Sequence, residues 1–161
     1  MATVQQELLA RISDPCNLDA GAEEVFGTML GVACRREASG AIQEGESVCA
    51  MVGFGGMLSG ACIVRAGIES ACKIAGRMTG MEFAEIDATV LDGMGEICNM
   101  LAGTWKGRIP ELAAHCGLSV PAVITGHHYN LHLQAPKFEL LHLYCAEDIR
   151  FEVRIVCDGL Q

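Results

Sequence analysis

The chain has 161 residues, enough for one domain with a real core and too few for two ordinary ones. Against 11 Lys and Arg stand 20 Asp and Glu, a formal net charge of −9. That excess argues against a phosphate backbone as partner, which rewards clustered cations. Hydrophobic residues make up 51% of the chain and aromatics only 5%, too apolar for disorder, so aliphatic side chains, Met and Cys must fill the core.

The nine Cys are odd in number and include no C-x-x-C pair, which does not suit a disulfide framework. They read as reduced thiols acting as small core hydrophobes. No basic region precedes an apolar run at the N-terminus, so the expectation is no secretory leader and a cytoplasmic location.

In chain order, Asp14-Pro15 offers an N-cap followed by proline at the first helical position, and a shorter helix before it is compatible with the sequence. Val25, Phe26, Met29, Leu30, Val32 and Ala33 then recur at the spacing of one buried helical face. This reading carries the helix on to Arg35 and Arg36, cations suited to a last turn, with Ser39-Gly40 as its end. From Ser47 to Val64 no residue is charged, a length that raises the question of a membrane span. The glycines at 53, 55, 56 and 60 would each weaken a helix by about 1 kcal/mol. They separate two β-leaning runs, Val48 to Val52 and Ala61 to Val64, so a β-hairpin is the better reading.

A second helix is expected from Ile68 to Met78, with Glu69 and Lys73 paired at i, i+4 and Gly80 as its cap. A third runs from about Glu85 to Trp105. A loop with Pro110, Gly117 and Pro121 follows, then strands over roughly 120–126, 138–146 and 149–157, the last two joined by a turn at Glu147-Asp148. The expected fold is a single α+β domain over 1–161: an antiparallel sheet from two hairpins and an additional strand, covered by about three helices.

The third helix separates its residues sharply at roughly 100° per residue. Val90, Met94, Ile97, Cys98, Leu101 and Trp105 form one arc, the core face. Asp92, Gly95, Glu96, Asn99 and Gly103 form the opposite arc. Polar residues on an exposed helix are most often simply solvated, but two glycines among them cost helix stability and would let another backbone approach. Another macromolecule, or a tightly packed neighbour in the same chain, would suit that face.

The string Asp92-x-x-x-Glu96-x-x-Asn99, with Pro121 some twenty residues on, resembles the active-site helix of the CheC/CheX/FliY family of chemotaxis phosphatases, in its single-site CheX type. The stretch Ala22 to Leu30 is similar to that family's first helix, and the hairpin around Gly53 to Gly60 to its first strand pair, so the resemblance covers roughly Pro15 to Cys157. It implies hydrolysis of the aspartyl phosphate on a CheY-type response regulator receiver. Asn99 would orient the attacking water and Glu96 would dock the receiver's phosphate-contacting Lys. Asp92, Gly95 and Gly103 would contact the substrate protein, with Asp92 as support. The Mg²⁺ would come with the receiver, and the chain would need no cofactor of its own. Relatives of the CheC type repeat the Glu and Asn pattern on the first helix. Here Glu23 and Glu24 have no Asn three residues later, so one site per chain is expected, in a homodimer.

Three other signals carry less. His127, His128 and His132 could suggest a metal, but no Cys or carboxylate stands at ligand spacing. The glycines of the hairpin fit neither G-x-G-x-x-G, because Leu58 takes the third glycine position, nor a P-loop. His115-Cys116 lacks an orienting partner for a nucleophile. The alternative to the phosphatase is a non-catalytic interaction module of the same fold, binding a receiver or a motor-switch component.

Overall fold

The computed structural model describes residues 3–42, 44–127, 132 and 136–161. Helix α1 (Val4–Ile12) starts on a capping box between Thr3 and Gln6. Helix α2 (Pro15–Leu30) starts where the sequence places it, the Asp14 carboxylate accepting from the Cys16 amide at 3.0 Å. Its end differs from expectation. Gly31 adopts the left-handed conformation, φ 67°, and stops the helix there. Arg35 and Arg36 therefore form no last turn: they belong to strand β1 (Arg35–Glu37).

The uncharged stretch is the hairpin of β2 (Glu46–Gly56) and β3 (Leu58–Gly67). Gly56 sits at φ 97°, and a Cβ there would lie 2.5 Å from the His115 carbonyl oxygen, so the tight reversal at Met57 depends on glycine. Helix α3 (Ile68–Thr79) ends at Gly80 as read, with the Lys73–Glu69 pair in place at 2.7 Å. Helix α4 (Ala88–Gly107) begins three residues later than expected, because Asp87 caps it by accepting from the Val90 amide at 2.9 Å. The expected loop beyond it contains helix α5 (Pro110–His115) and strand β4 (Cys116–Leu118). Strand β5 (Ala122–His127) follows, then β6 (Phe138–Ala146) and β7 (Ile149–Leu160) around Glu147, whose φ is 55°.

All strands join one antiparallel sheet in the order β1-β6-β7-β3-β2, and the outer edge of β2 is shared. Strand β5 pairs with Glu46 to Met51, and β4 with Phe54 to Gly56. The α+β expectation holds, with two three-residue strands and two short helices more than the sequence reading counted. One face of the sheet carries the core. Val48, Ala50, Val52 and Phe54 of β2 and Phe151, Val153 and Ile155 of β7 meet the helices from below. Phe26 of α2 stacks on Phe151 at 4.4 Å, and Trp105 of α4 tilts against Phe54 at 5.4 Å. All nine Cys are free thiols and seven are buried, as core filling requires. Among the described residues no helix is long and apolar enough to cross a membrane.

Candidate functional site

Helix α4 is anchored by the arc read from the sequence. Val90, Met94, Ile97, Cys98, Leu101 and Trp105 are all fully buried, each side chain the size of Ile or Leu contributing roughly 1.5–3 kcal/mol of apolar transfer. The Cys98 thiol lies 3.4 Å from the Cys62 carbonyl and 3.5 Å from that of Ala50, so α4 is tied to both β3 and β2. With this face fixed, the opposite arc has no rotational freedom. Asp92 and Glu96 emerge exposed and Asn99 half-buried, on successive turns. Among the described residues none of these three side chains has a hydrogen-bond or ion-pair partner within the chain.

The two glycines of that arc have neighbours inside the molecule. A Cβ on Gly95 would lie 3.3 Å from Val123 Cγ2 and 3.4 Å from Pro121 Cβ, and one on Gly103 would lie 3.7 Å from Leu118. Gly95 is buried. The chain's own β4–β5 segment thus makes the close approach at Gly95, the second of the two readings that the glycines leave open in the sequence. Pro121 has a physical task here: it closes one side of α4 at Gly95. Beside this segment the strip of Asp92 and Glu96 lines a shallow groove with Leu91, Val120, Pro121 and Val123, and Asn99 stands on the next turn of the helix outside it.

The segment is itself held by a clamp that the sequence reading did not anticipate. Ser119 donates its amide to the Gly53 carbonyl at 2.9 Å, and its Oγ accepts from the Gly53 amide at 2.8 Å. Ser119 therefore continues the β2 edge with its side chain where regular pairing lapses between β4 and β5. The signal available in advance was Ser119-Val120-Pro121, a small hydroxyl residue before an X-Pro pair, which favours a corner.

A second polar cluster lies away from α4. Tyr144 donates to Asp19 Oδ1 at 2.7 Å, and His142 Nδ1 stands 3.0 Å from the tyrosine oxygen and 3.2 Å from Asp19 Oδ1. Arg36 approaches His142 Nε2 at 3.3 Å and Asp19 Oδ2 at 3.5 Å. A guanidinium can only donate, so Nε2 accepts and the imidazole proton sits on Nδ1. Burial pushes the His142 pKa down, Asp19 opposing and Arg36 assisting. Burial and the bond to Asp19 hold the Tyr144 hydroxyl well above its usual range. This network joins α2, β1 and β6 and is satisfied internally, so it acts as structure.

His127 and His132 are exposed, while His128 lies outside the described residues. Among the described residues no three His, Cys, Asp or Glu side chains stand together as a metal cluster. Cys116 is buried at the start of β4, and burial raises its thiol pKa, so the His115-Cys116 pair holds no ready thiolate. Of Glu23 and Glu24, which lack the Asn that a second site on α2 would need, Glu24 is paired with Arg108 at 2.8 Å.

Comparison with known proteins gives a consistent answer. The family model described as chemotaxis phosphatase CheX matches residues 48–141, more than half of the chain. The curated CheY-P phosphatase CheX of Thermotoga maritima is 30% identical over 82 residues, and the match spans about half of each protein, 50% of this chain and 53% of the relative. Among solved structures, a chemotaxis protein CheX from Vibrio vulnificus superposes with a TM-score of 0.76 at 18% identity, covering 98% of this chain and 100% of that one. The CheX of a CheX–CheY–BeF3–Mg complex from Borrelia burgdorferi gives 0.74 at 20% identity, over 92% of this chain and 99% of the other.

Proposed function

The chain belongs to the chemotaxis phosphatase CheX family, and from that premise we propose that it hydrolyses the aspartyl phosphate of a CheY-type response regulator. One observation carries the reading: Glu96 and Asn99 stand one turn apart on a helix face whose other side is locked into the core, and among the described residues their polar groups have no partner. A curated relative named as a CheY-P phosphatase, and a relative of the same fold solved in complex with CheY, point to the same substrate class.

Phosphoryl transfer asks little covalent chemistry of a catalyst, since positioning and electrostatics do most of the work. The Asn99 amide offers one acceptor and two donors. Its oxygen would accept a hydrogen bond from a water placed opposite the bond between phosphorus and the receiver's aspartyl oxygen. The water oxygen bonds to phosphorus, that phosphorus–oxygen bond breaks, and the receiver's carboxylate leaves with the bonding pair. The water's protons pass to phosphate and solvent. Glu96 would place Asn99 by pairing with the receiver's phosphate-contacting Lys, a charge-assisted contact. Asp92, exposed one turn before Glu96, adds negative potential on the same strip. The Mg²⁺ of the reaction belongs to the substrate receiver. A homodimer, as the family resemblance implies, would display two such strips.

The test is to add the full chain to phosphorylated receivers from a panel and follow phosphate release against each receiver's own rate. Acceleration with at least one receiver is expected. No acceleration with any member, alongside tight binding that ignores phosphorylation, would favour a binding module instead.

A further inference from the structure

We propose that Val120 is an apolar docking residue for the receiver, seated against an apolar side chain beside the lysine that Glu96 engages; the inference rests on the phosphatase reading. Val120 is 87% exposed, the most solvent-accessible large hydrophobic side chain among the described residues. A single exposed valine is unremarkable by itself. What distinguishes this one is that its backbone is fixed on both sides. Before it, Ser119 is clamped to Gly53 through both its amide and its hydroxyl, at 2.9 and 2.8 Å. After it, Pro121 packs on the α4 backbone at Gly95. Proline holds φ and restricts the residue before it, and a β-branched side chain is stiff at χ1.

The result is an apolar knob that is rigid without being buried. Docking it orders almost nothing that is not already ordered, so little of what covering it gains is lost to ordering the side chain. Its position decides the occupant. Val120 lines the same groove as Asp92 and Glu96, so a receiver seated with its lysine on Glu96 must lay the adjoining surface over the valine. The chain's net charge of −9 provides no broad attraction to an acidic partner, which leaves local fit to discriminate among receivers. In this account Ser119 and Gly53 are positioning residues for the knob.

The experiment compares parent, Val120→Asp and Val120→Ile in two measurements on one cognate receiver: phosphate release against receiver concentration, and binding to the receiver activated with beryllofluoride and Mg²⁺. Val120→Asp should raise KM and weaken binding about tenfold, the loss expected when a covered valine is exchanged for a charge, with kcat within about twofold. Val120→Ile should restore both. The side chain is exposed, so thermal melts should coincide with the parent. Unchanged KM and binding in Val120→Asp, with an active parent, would overturn the proposal and leave the phosphatase reading intact. So would an effect of the substitution on self-association alone, seen by light scattering. A parent that neither binds nor turns over any activated receiver would overturn both.

Discussion

Helices α2 and α4 pack against each other on the same face of the sheet, each burying an apolar stripe, yet Asp19 and Glu24 of α2 and Asp92 and Glu96 of α4 meet opposite fates. On α2, Asp19 is engaged by Tyr144, His142 and Arg36, and Glu24 by Arg108. These carboxylates hold α2 to β1, β6 and the end of α4. On α4, Asp92 and Glu96 have no partner among the described residues, although the helix beneath them is as firmly buried. Shared packing therefore does not make two helices equivalent. Asp19 and Glu24 serve the fold, exposed Glu23 between them is unpaired among the described residues, and on α4 both Asp92 and Glu96 stay open to a partner.

That contrast can be broken by substitution, with the largest effect expected at Glu96. Glu96→Ala should lower kcat/KM for phosphorylated receiver about 10²-fold, a loss of roughly 2.7 kcal/mol in transition-state stabilisation. Its melting temperature should match the parent's, because the carboxylate has no hydrogen-bond or ion-pair partner among the described residues; a large drop in Tm would contradict the assignment. Asp19→Ala should do the reverse. It strips the acceptor from Tyr144 and the counter-charge from Arg36, for an expected cost of about 1–3 kcal/mol in urea denaturation, with turnover per folded molecule preserved.

The same network makes stability depend on pH. His142 has its pKa lowered in the fold, whereas in the unfolded chain it titrates near the ordinary value of about 6.5. Between the two values the unfolded state binds more protons, so stability falls as pH drops below about 6.5 and levels off once the folded-state value is passed. The slope should vanish from thermal melts of His142→Gln, and persistence of the full slope there would place its origin elsewhere. The smallest effect belongs to α2's outer surface. Glu24→Gln removes an exposed pair with Arg108 and should change stability by no more than about 0.5 kcal/mol and turnover not at all. A loss of activity there would mean that α2 carries a second site after all.

What the sequence disclosed follows the same division. The faces of α4 were legible because a 20-residue helix repeats its period often enough to separate Met94, Ile97 and Leu101 from Asp92, Glu96 and Asn99. The hairpin of β2 and β3 was legible because β-leaning runs flank its glycines. Strand β1 was not: Arg35, Arg36 and Glu37 show no alternation, and only pairing with β6, more than a hundred residues away, makes them a strand. In sequence Pro110 reads as a loop marker, although it opens α5 at the position where a proline is tolerated. Gly95 and Gly103 announced a close approach without saying what approaches, and that answer needed β4 and β5 in three dimensions. The link between Asp19 and Tyr144 spans 125 positions and leaves no local trace.

The central claim is that α4 binds with Glu96 and reacts through Asn99. It is tested most directly by Asn99→Ala measured twice against the same receiver, once for binding to the beryllofluoride-activated form and once for phosphate release. Binding within about threefold of the parent is expected, with turnover reduced at least about 10²-fold, as when an oriented water is lost. Turnover equal to the parent's in a folded Asn99→Ala would contradict it.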